Sequence, residues 1–188
     1  MNKAVFLDRD GTINEEVDYL SKVEDLILIK NVQNALLNLK NSGFLNIIVT
    51  NQSGIARGFL DLNTLENIHN ELKKRLTDSS GCLIDDIFFS PYHSDGIIKE
   101  FKIDHVDRKP NTGMIVKAIS KYNIDIKKSW FVGDSYTDML CANNAGLKKI
   151  LVLTGYGKKH LKSCLDNNIK PEFIAENIDE ASEFILKN

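Results

Sequence analysis

The chain has 188 residues, of which 43% are hydrophobic, and this length predicts one well-cored domain over residues 1–188 rather than two. Its net charge is -2 and its pI is about 6.1, so no general attraction to nucleic acid or to an acidic membrane is expected. No apolar run approaches the length of a membrane span. The three cysteines are scattered and indicate neither a disulfide framework nor a metal knuckle. We therefore predict a cytoplasmic monomer that binds neither nucleic acid nor membrane.

The predicted elements alternate between strands and helices along the chain. Short apolar runs predict strands at Ala4–Leu7, Asn46–Val49, Ile84–Phe89, Ser129–Val132, Lys149–Leu153 and Phe173–Ala175. Apolar residues at helical spacing, with Gly43 and Gly146 as stops, predict helices near 32–41, 61–77, 113–122, 139–145, 158–165 and 179–186. Asn111 and Thr112 are expected to cap the third of these helices. This alternation predicts an α/β fold with a doubly wound parallel sheet and right-handed crossovers.

Two aspartates follow the first strand directly. Asp8 and Asp10 stand where the apolar run of Ala4–Leu7 stops, and Gly11 comes next. Two carboxylates at the end of a buried strand repel each other and are partly desolvated, a cost that a bound cation removes. Mg²⁺ takes such oxygen ligands, often together with a substrate phosphate. An Asp-rich turn in which Gly11 supplies an unusual backbone angle would give the same local pattern.

Other polar groups also follow predicted strands. Thr50 begins a polar turn after the second strand, and Asp134 and Asp138 follow the fourth. Arg108 and Lys109 precede the third helix, where they could be ordinary surface charges or could hold a phosphate. Ligands of doubly wound sheets bind outside the carboxyl ends of the strands, so these groups are expected to meet at one edge. Scattered surface polarity would not fall so regularly at that edge.

These groups together suit phosphoryl transfer. Mg²⁺ on Asp8 and Asp134 would neutralise phosphate charge, while Lys109 and the Thr50 hydroxyl would surround the phosphoryl group with donors. A carboxylate such as Asp8 can attack phosphorus to give an aspartyl-phosphate. Asp10 could protonate the leaving oxygen and then deprotonate the water that hydrolyses this intermediate.

The same residues carry a resemblance to a known family. The segment Asp8–Thr12, Thr50, Lys109 and the segment Gly133–Asp138 resemble, in order, the four motifs of the haloacid dehalogenase superfamily of phosphohydrolases. The resemblance implies Asp8 as nucleophile, Asp10 as general acid and base, and Thr50 and Lys109 as phosphate stabilisers. It also implies Mg²⁺ held by Asp8, the Asp10 carbonyl and Asp134, with Asp138 as an outer support.

A narrower resemblance concerns the substrate. The runs FLDRDGTIN, VTNQSGIARG, RKPNTGM and VGDSYTDM are similar to a branch that contains heptose bisphosphate and histidinol-phosphate phosphatases and has no large cap domain. The short intervals between the motifs agree, because they leave no room for a further folded domain. This branch implies that the substrate site is lined by Glu16, Val17, Asp18, Tyr19, Asn51, Gln52, Ser53, Arg108 and Ser135, with Arg108 on a distal phosphate. A heptose bisphosphate suits Arg108 beside Lys109, whereas cationic histidinol phosphate would suit an acidic pocket. The sequence therefore favours removal of the 7-phosphate of a heptose 1,7-bisphosphate, with histidinol phosphate as the alternative substrate.

One departure from this branch concerns zinc. Many relatives carry a zinc loop with a Cys-x-His and a Cys-x-Cys pair before Arg-Lys-Pro, and the matching positions here are Ser90, Tyr92, His105 and Asp107. No thiolate remains, and Ser and Tyr are poor zinc ligands. His93 with His105 and Asp107 could in principle bind zinc. We predict a loop that is held without structural zinc.

Two hypotheses from other classes remain. A phospho-acceptor signalling module also uses an aspartate, Mg²⁺ and a lysine on such a sheet, but it would lack a second carboxylate at the position of Asp10. A binding protein that has lost catalysis would not be expected to keep all four motifs. The sequence therefore favours a Mg²⁺-dependent phosphomonoester hydrolase that acts on a small phosphorylated sugar.

Overall fold

Six parallel strands form the centre of the molecule, which is described here over residues 1–188 by a computed structural model. Together with a separate two-stranded hairpin, the strands are β1 (Lys3–Leu7), β2 (Phe44–Asn51), β3 (Thr77–Asp78), β4 (Gly81–Cys82), β5 (Asp86–Ser90), β6 (Trp130–Gly133), β7 (Lys148–Val152) and β8 (Phe173–Ala175). The main sheet has the order β5-β2-β1-β6-β7-β8, and β3 pairs only with β4, antiparallel. The predicted doubly wound parallel sheet is confirmed.

Six α-helices cover the two faces of the sheet. They are α1 (Val32–Asn41), α2 (Leu62–Arg75), α3 (Gly113–Tyr122), α4 (Tyr136–Ala145), α5 (Gly157–Asp166) and α6 (Ile178–Lys187). Helices α1, α2 and α6 bury their apolar residues in one core layer, and α3, α4 and α5 bury theirs in the other. No large cap domain interrupts this arrangement, as predicted. None of the helices is both long and apolar enough to cross a membrane.

The central strand explains how the two layers arise from the sequence. Side chains alternate across a strand, so Val5 and Leu7 enter one core layer while Ala4 and Phe6 enter the other. All four are completely buried. A strand covered on both faces must be apolar at every position, which is why this run of the sequence lacks the polar alternation of a half-exposed strand.

The predicted boundaries hold closely but not everywhere. α1, α3 and β8 have the predicted bounds, whereas the third strand of the main sheet begins at Asp86 rather than Ile84. The β3–β4 hairpin and two short 3₁₀ helices were not predicted. The predicted cap of α3 is wrong, because Thr112 occupies the cap position without a side-chain bond to the helix, and Asn111 donates to the His105 carbonyl.

Candidate active site

A buried lysine lies between two carboxylates at the carboxyl edge of the sheet. The Lys109 Nζ is 2.8 Å from Asp8 Oδ1, 2.6 Å from Asp138 Oδ1 and 2.9 Å from the Val49 carbonyl oxygen, to which it donates. Asp8 follows β1, and Asp138 lies in the first turn of α4, so two sheet connections and the segment before α3 converge here. Burial opposes the charge of Lys109, but Asp138 and Asp8 outweigh it and raise its pKa. The lysine is therefore a permanent cation.

Backbone and amide contacts fix this lysine from the other side. The Asn51 side chain accepts from the Lys109 N–H at 3.0 Å and donates to the Lys109 carbonyl at 3.1 Å. The Asp138 carboxylate accepts from the Ser135 hydroxyl at 2.7 Å and from the Ser135 N–H at 3.1 Å, as part of a capping box at the start of α4. The three charged groups are thus held in place before any ligand binds.

Asp134 completes an acidic cluster in the same place. Carboxylate oxygens of Asp8, Asp134 and Asp138 all lie within 4.8 Å of one another. Asp134 Oδ2 accepts from the Tyr156 N–H at 2.7 Å, and a Cβ at Gly11 or Gly155 would overlap that oxygen. Both glycines also have positive φ. The close approach to Asp134 and the backbone conformation therefore both require glycine at these positions.

The electrostatics of this cluster fit a divalent cation. Burial and then the charge of Asp138 raise the pKa of Asp8 well above its ordinary range, and the same two causes raise the pKa of Asp134 to about 7. Three carboxylates face one ammonium, so the cluster lacks positive charge. Mg²⁺ binds carboxylate oxygens and would supply that charge. Asp8 and Asp134 are the candidate ligands, since both Asp138 oxygens already face Lys109 and Ser135.

The second aspartate of the first motif is held separately. Asp10 accepts two contacts of 2.9 Å from Arg9 Nη2, one of 2.9 Å from the Asn14 amide and one of 2.9 Å from the Gln52 amide. Arg9 also contacts His69 Nε2 at 3.1 Å. Burial alone would raise the pKa of Asp10, but the Arg9 charge and these hydrogen bonds lower it overall. The unliganded protein therefore presents Asp10 as a carboxylate.

These groups open into a cleft of about 360 Å³ whose lining is polar except for Pro110. The lining comprises Asp8, Asp10, Glu16, Asp18, Thr50, Asn51, Arg108, Lys109, Pro110, Ser135, Thr137 and Asp138. Thr50 lies at the base and is almost fully buried, and its hydroxyl accepts from the Gln52 amide at 2.8 Å. Burial, followed by the charge of Asp10, raises the pKa of Glu16 to about 7. A small, polar and strongly charged cleft of this kind suits a phosphorylated ligand rather than an apolar one.

Comparison with known proteins identifies the family. A family model described as HAD-hydrolase-like matches residues 106–181. A D-glycero-D-manno-heptose-1,7-bisphosphate 7-phosphatase of Thermosynechococcus vestitus is 38% identical over 185 residues, covering 97% of this chain and 94% of that protein. The chain belongs to the haloacid dehalogenase family of phosphatases. The predicted family and the predicted enzyme class are thereby confirmed.

Further relatives of this phosphatase give the same result. A D-glycero-beta-D-manno-heptose-1,7-bisphosphate 7-phosphatase of Haemophilus ducreyi is 40% identical over 154 residues, covering 81% of this chain and 84% of that protein. The crystal structure of D,D-heptose 1,7-bisphosphate phosphatase from B. bronchiseptica, complexed with magnesium and phosphate, has a TM-score of 0.86. It is 31% identical and covers 98% of both chains.

The predicted substrate residues of the phosphatase divide into three groups. The cleft contains Glu16, Asp18, Asn51, Arg108 and Ser135. A small adjoining pocket contains Asp18, Tyr19, Asn51, Gln52 and Ser53. Val17 is exposed and lines neither cavity, so its place in the substrate site stays a prediction.

Some of these side chains have contacts that the sequence did not predict. Gln52 is 6% exposed, and its amide joins Thr50 to Asp10 instead of facing the cleft. Asn51 uses both atoms of its amide on the Lys109 backbone, and Asp18 accepts from the Tyr156 hydroxyl at 2.7 Å. The Tyr19 ring packs on Phe59 at 4.5 Å between centroids. Gln52 is therefore a support of the site in this structure.

Two residues that contact the site, Arg9 and His69, were not identified from the sequence. Arg9 lies within the first motif, but an arginine between two aspartates gave no signal of the direction in which its side chain points. His69 stands on the buried face of α2, where its position looked like part of an ordinary helix core. Burial and then the Arg9 charge lower its pKa to about 3, so it remains neutral and can accept from the guanidinium. The one feature of the sequence that could have indicated this contact is a histidine on the otherwise apolar face of α2.

Proposed function

We propose that this phosphatase is Mg²⁺-dependent and removes the 7-phosphate from D-glycero-D-manno-heptose 1,7-bisphosphate. The observation that carries the proposal is similarity over nearly the whole chain to curated relatives of that name. A polar cleft that contains an arginine beside the buried lysine supports it, because the substrate carries two phosphates. The same enzyme would serve in the synthesis of heptose precursors of lipopolysaccharide.

In the proposed first step, an Asp8 carboxylate oxygen attacks phosphorus and the bond from phosphorus to the sugar oxygen breaks. Asp10 gives its proton to that oxygen, so the sugar leaves as an alcohol. Asp10 is ionised in the free enzyme and takes up a proton from solvent as the phosphate dianion arrives, because a neighbouring like charge raises a carboxyl pKa. Asp8 then carries the phosphoryl group as an aspartyl-phosphate.

In the proposed second step, Asp10 takes a proton from water and the resulting hydroxide attacks the phosphorus of the aspartyl-phosphate. The bond from phosphorus to Asp8 breaks, which releases inorganic phosphate and restores the Asp8 carboxylate. Lys109 and the Thr50 hydroxyl stabilise the phosphoryl oxygens through both steps, since both are buried residues that line the cleft. Mg²⁺, held by Asp8 and Asp134 with the Asp10 carbonyl, would neutralise phosphate charge.

A phosphate-release assay with purified protein tests this function. The panel contains heptose 1,7-bisphosphate, heptose 7-phosphate, histidinol phosphate and p-nitrophenyl phosphate, each with Mg²⁺ and with EDTA. We expect the highest kcat/KM for the bisphosphate, multiple turnovers and no activity in EDTA. Asp8→Asn should abolish turnover, because an amide does not attack phosphorus. Faster hydrolysis of histidinol phosphate would assign the alternative substrate, and a single turnover would indicate a phospho-acceptor.

A further inference from the structure

Two loops bring a second group of hydrogen-bond donors together beside the cleft. Arg57 lies in the segment between β2 and α2, and His93 lies in the segment after β5. The Ala56 carbonyl accepts from the N–H groups of Ile97 and Ile98 at 2.7 and 3.0 Å, which joins the two segments. Arg57 Nη2 lies 3.0 Å from His93 Nε2. Backbone hydrogen bonds therefore hold the two segments together, and the arrangement does not depend on attraction between Arg57 and His93.

Arg108 connects this group to the cleft. Its Nη1 donates at 3.0 Å to the carbonyl of Tyr92, the residue before His93, and its side chain lines the cleft. Burial and then the Arg57 charge lower the pKa of Arg108, so the two guanidinium groups are near enough to repel. Neither arginine has a carboxylate within ion-pair distance among the ion pairs of the chain. Asp104 acts on Arg108 from beyond ion-pair distance, so the two arginines keep an excess of positive charge that no direct ion pair offsets.

The hydrogen bonds of this group are incomplete in a way that indicates an anion. The Asp95 N–H donates to His93 Nδ1 at 3.0 Å, so the neutral imidazole carries its proton on Nε2. That N–H faces Arg57 Nη2, which can only donate. The Arg57 Nε–H is buried and has no partner either. Several donors thus converge where no acceptor is present, and an unmet buried donor is costly.

We propose that Arg57, His93 and Arg108 form an anion subsite at the mouth of the cleft that binds a phosphate of the substrate which is not cleaved. A phosphate oxygen accepts from both a guanidinium and an imidazole N–H, and its charge offsets the two arginines. The assignment of this anion to the 1-phosphate of the heptose rests on the proposed function. From the sequence, only Arg108 is expected on the distal phosphate, and here Arg57 and His93 join it in that role.

Steady-state kinetics test the subsite through a pair of substrates that differ by one phosphate. Arg57→Gln should lower kcat/KM for heptose 1,7-bisphosphate by about tenfold, mainly through KM, because charge-assisted bonds to the retained phosphate are lost. The kcat/KM for heptose 7-phosphate should change by less than about twofold. Arg57→Lys keeps the charge but not the planar fork of N–H donors. Its kcat/KM for the bisphosphate should lie between the values of wild type and of Arg57→Gln. Lys99→Gln removes one exposed charge from the same loop and should alter neither substrate.

An equal loss on both substrates in Arg57→Gln would overturn the subsite while leaving the proposed function in place. If the wild-type enzyme does not hydrolyse the bisphosphate, the proposed function fails and a ligand probe decides the subsite. Inorganic phosphate is titrated while the ¹⁵N signals of the His93 ring are followed, assigned through His93→Gln among the 4 histidines of the chain. A saturable shift of Nε2 that Arg57→Gln removes supports the subsite, and an unmoved signal refutes it.

Discussion

The ε-ammonium of Lys109 lies 2.6 Å from Oδ1 of Asp138, and the side chains of both residues are almost completely buried. Its second carboxylate partner is Asp8, the proposed nucleophile, at 2.8 Å. One cation thus compensates two buried anions, and it stands where phosphoryl oxygens would arrive. Because breaking a buried ion pair leaves an uncompensated charge, this lysine should affect both folding and catalysis.

Replacing Lys109 with Met should therefore have two measurable effects. The kcat for phosphate release should fall by about 10²- to 10³-fold, the scale seen when a donor to developing negative charge is removed. The free energy of unfolding, measured in urea at saturating EDTA, should fall by about 3 to 5 kcal/mol. Adding Asp138→Asn should recover part of the stability and none of the activity. Lys162→Met, an exposed lysine without an ion pair, serves as the control, and near-wild-type turnover by Lys109→Met would exclude this lysine from catalysis.

The contact between His69 and Arg9 should influence protonation by Asp10. His69→Leu removes the acceptor for one Arg9 N–H and loosens the guanidinium that orients Asp10, whereas His69→Gln keeps an oxygen near the position of Nε2. We expect His69→Leu to lower kcat/KM for a sugar phosphate by about tenfold, the scale of one buried charged hydrogen bond.

The leaving group distinguishes this positioning role from a general loss of structure. p-Nitrophenolate leaves without a proton, so His69→Leu should reduce kcat/KM for p-nitrophenyl phosphate much less than for a sugar phosphate. His69→Gln should retain most activity on both substrates. If His69→Leu lost activity equally on both, the histidine would be a packing residue of α2 with no connection to Asp10.

The fold and the principal charged residues could be predicted because each depends on short-range patterns. The run of Ala4–Leu7 must be a buried strand, and polar residues that follow parallel strands must reach the same edge of the sheet. The distribution of the helices between the two faces follows from right-handed crossovers.

Side-chain direction could not be predicted in the same way. Gln52 and Ser53 are neighbours in one polar turn, yet Gln52 turns inward, where its amide donates to the buried Thr50 hydroxyl and to the Asp10 carboxylate. His69 belongs to a different helix and reaches the site only through Arg9. Such contacts depend on packing between elements that are distant in sequence, which no local pattern encodes.

The raised pKa of Asp134 predicts how stability depends on pH in metal-free protein. Burial and the charge of Asp138 raise this pKa to about 7 from an ordinary value of 3.8, so the folded state retains a proton that the unfolded chain has lost between those values. Because the folded state binds more protons, its stability should fall as pH rises through this window. Thermal unfolding in EDTA should show a midpoint that falls from pH 4 to pH 7 more steeply in wild type than in Asp134→Asn.

Mg²⁺ should reverse this trend at the upper end of the window. A cation that binds only the folded state raises the unfolding midpoint, and it binds best when Asp134 and Asp8 are ionised. The increase in midpoint on adding Mg²⁺ should therefore be larger at neutral pH than at acidic pH, and smaller in Asp134→Asn than in wild type. An equal increase in both proteins would remove Asp134 from the candidate metal ligands.

The loop between β5 and α3 should hold its shape without zinc, because contacts within the loop and with Lys117 fix Tyr92, His105 and Asp107, while the Ser90 hydroxyl and Asp107 Oδ1 have no hydrogen-bond partner. The Tyr92 ring stacks on His105 at 4.0 Å, His105 Nδ1 accepts from the Asp107 N–H, and the buried Asp107 carboxylate pairs with Lys117. Lys117→Met leaves that carboxylate unpaired and should lower the free energy of unfolding by about 1 to 3 kcal/mol. Lys121→Met on the same helix should lower the free energy of unfolding less, since its partner Asp86 still accepts a hydrogen bond from the Tyr122 hydroxyl.

Elemental analysis of the purified protein provides the direct measurement for this loop. We expect no stoichiometric zinc, and we expect a strong zinc chelator to leave the urea midpoint unchanged in Mg²⁺-free buffer. The reason is chemical: the positions that match the zinc pattern are Ser90, Tyr92, His105 and Asp107, none of which supplies a thiolate, and Asp107 is already neutralised by Lys117. One zinc ion per chain, with loss of stability on chelation, would show instead that His93, His105 and Asp107 rearrange to bind the metal. Lys117→Met would then stabilise the zinc-bound loop rather than weaken it, because it frees the Asp107 carboxylate as a ligand.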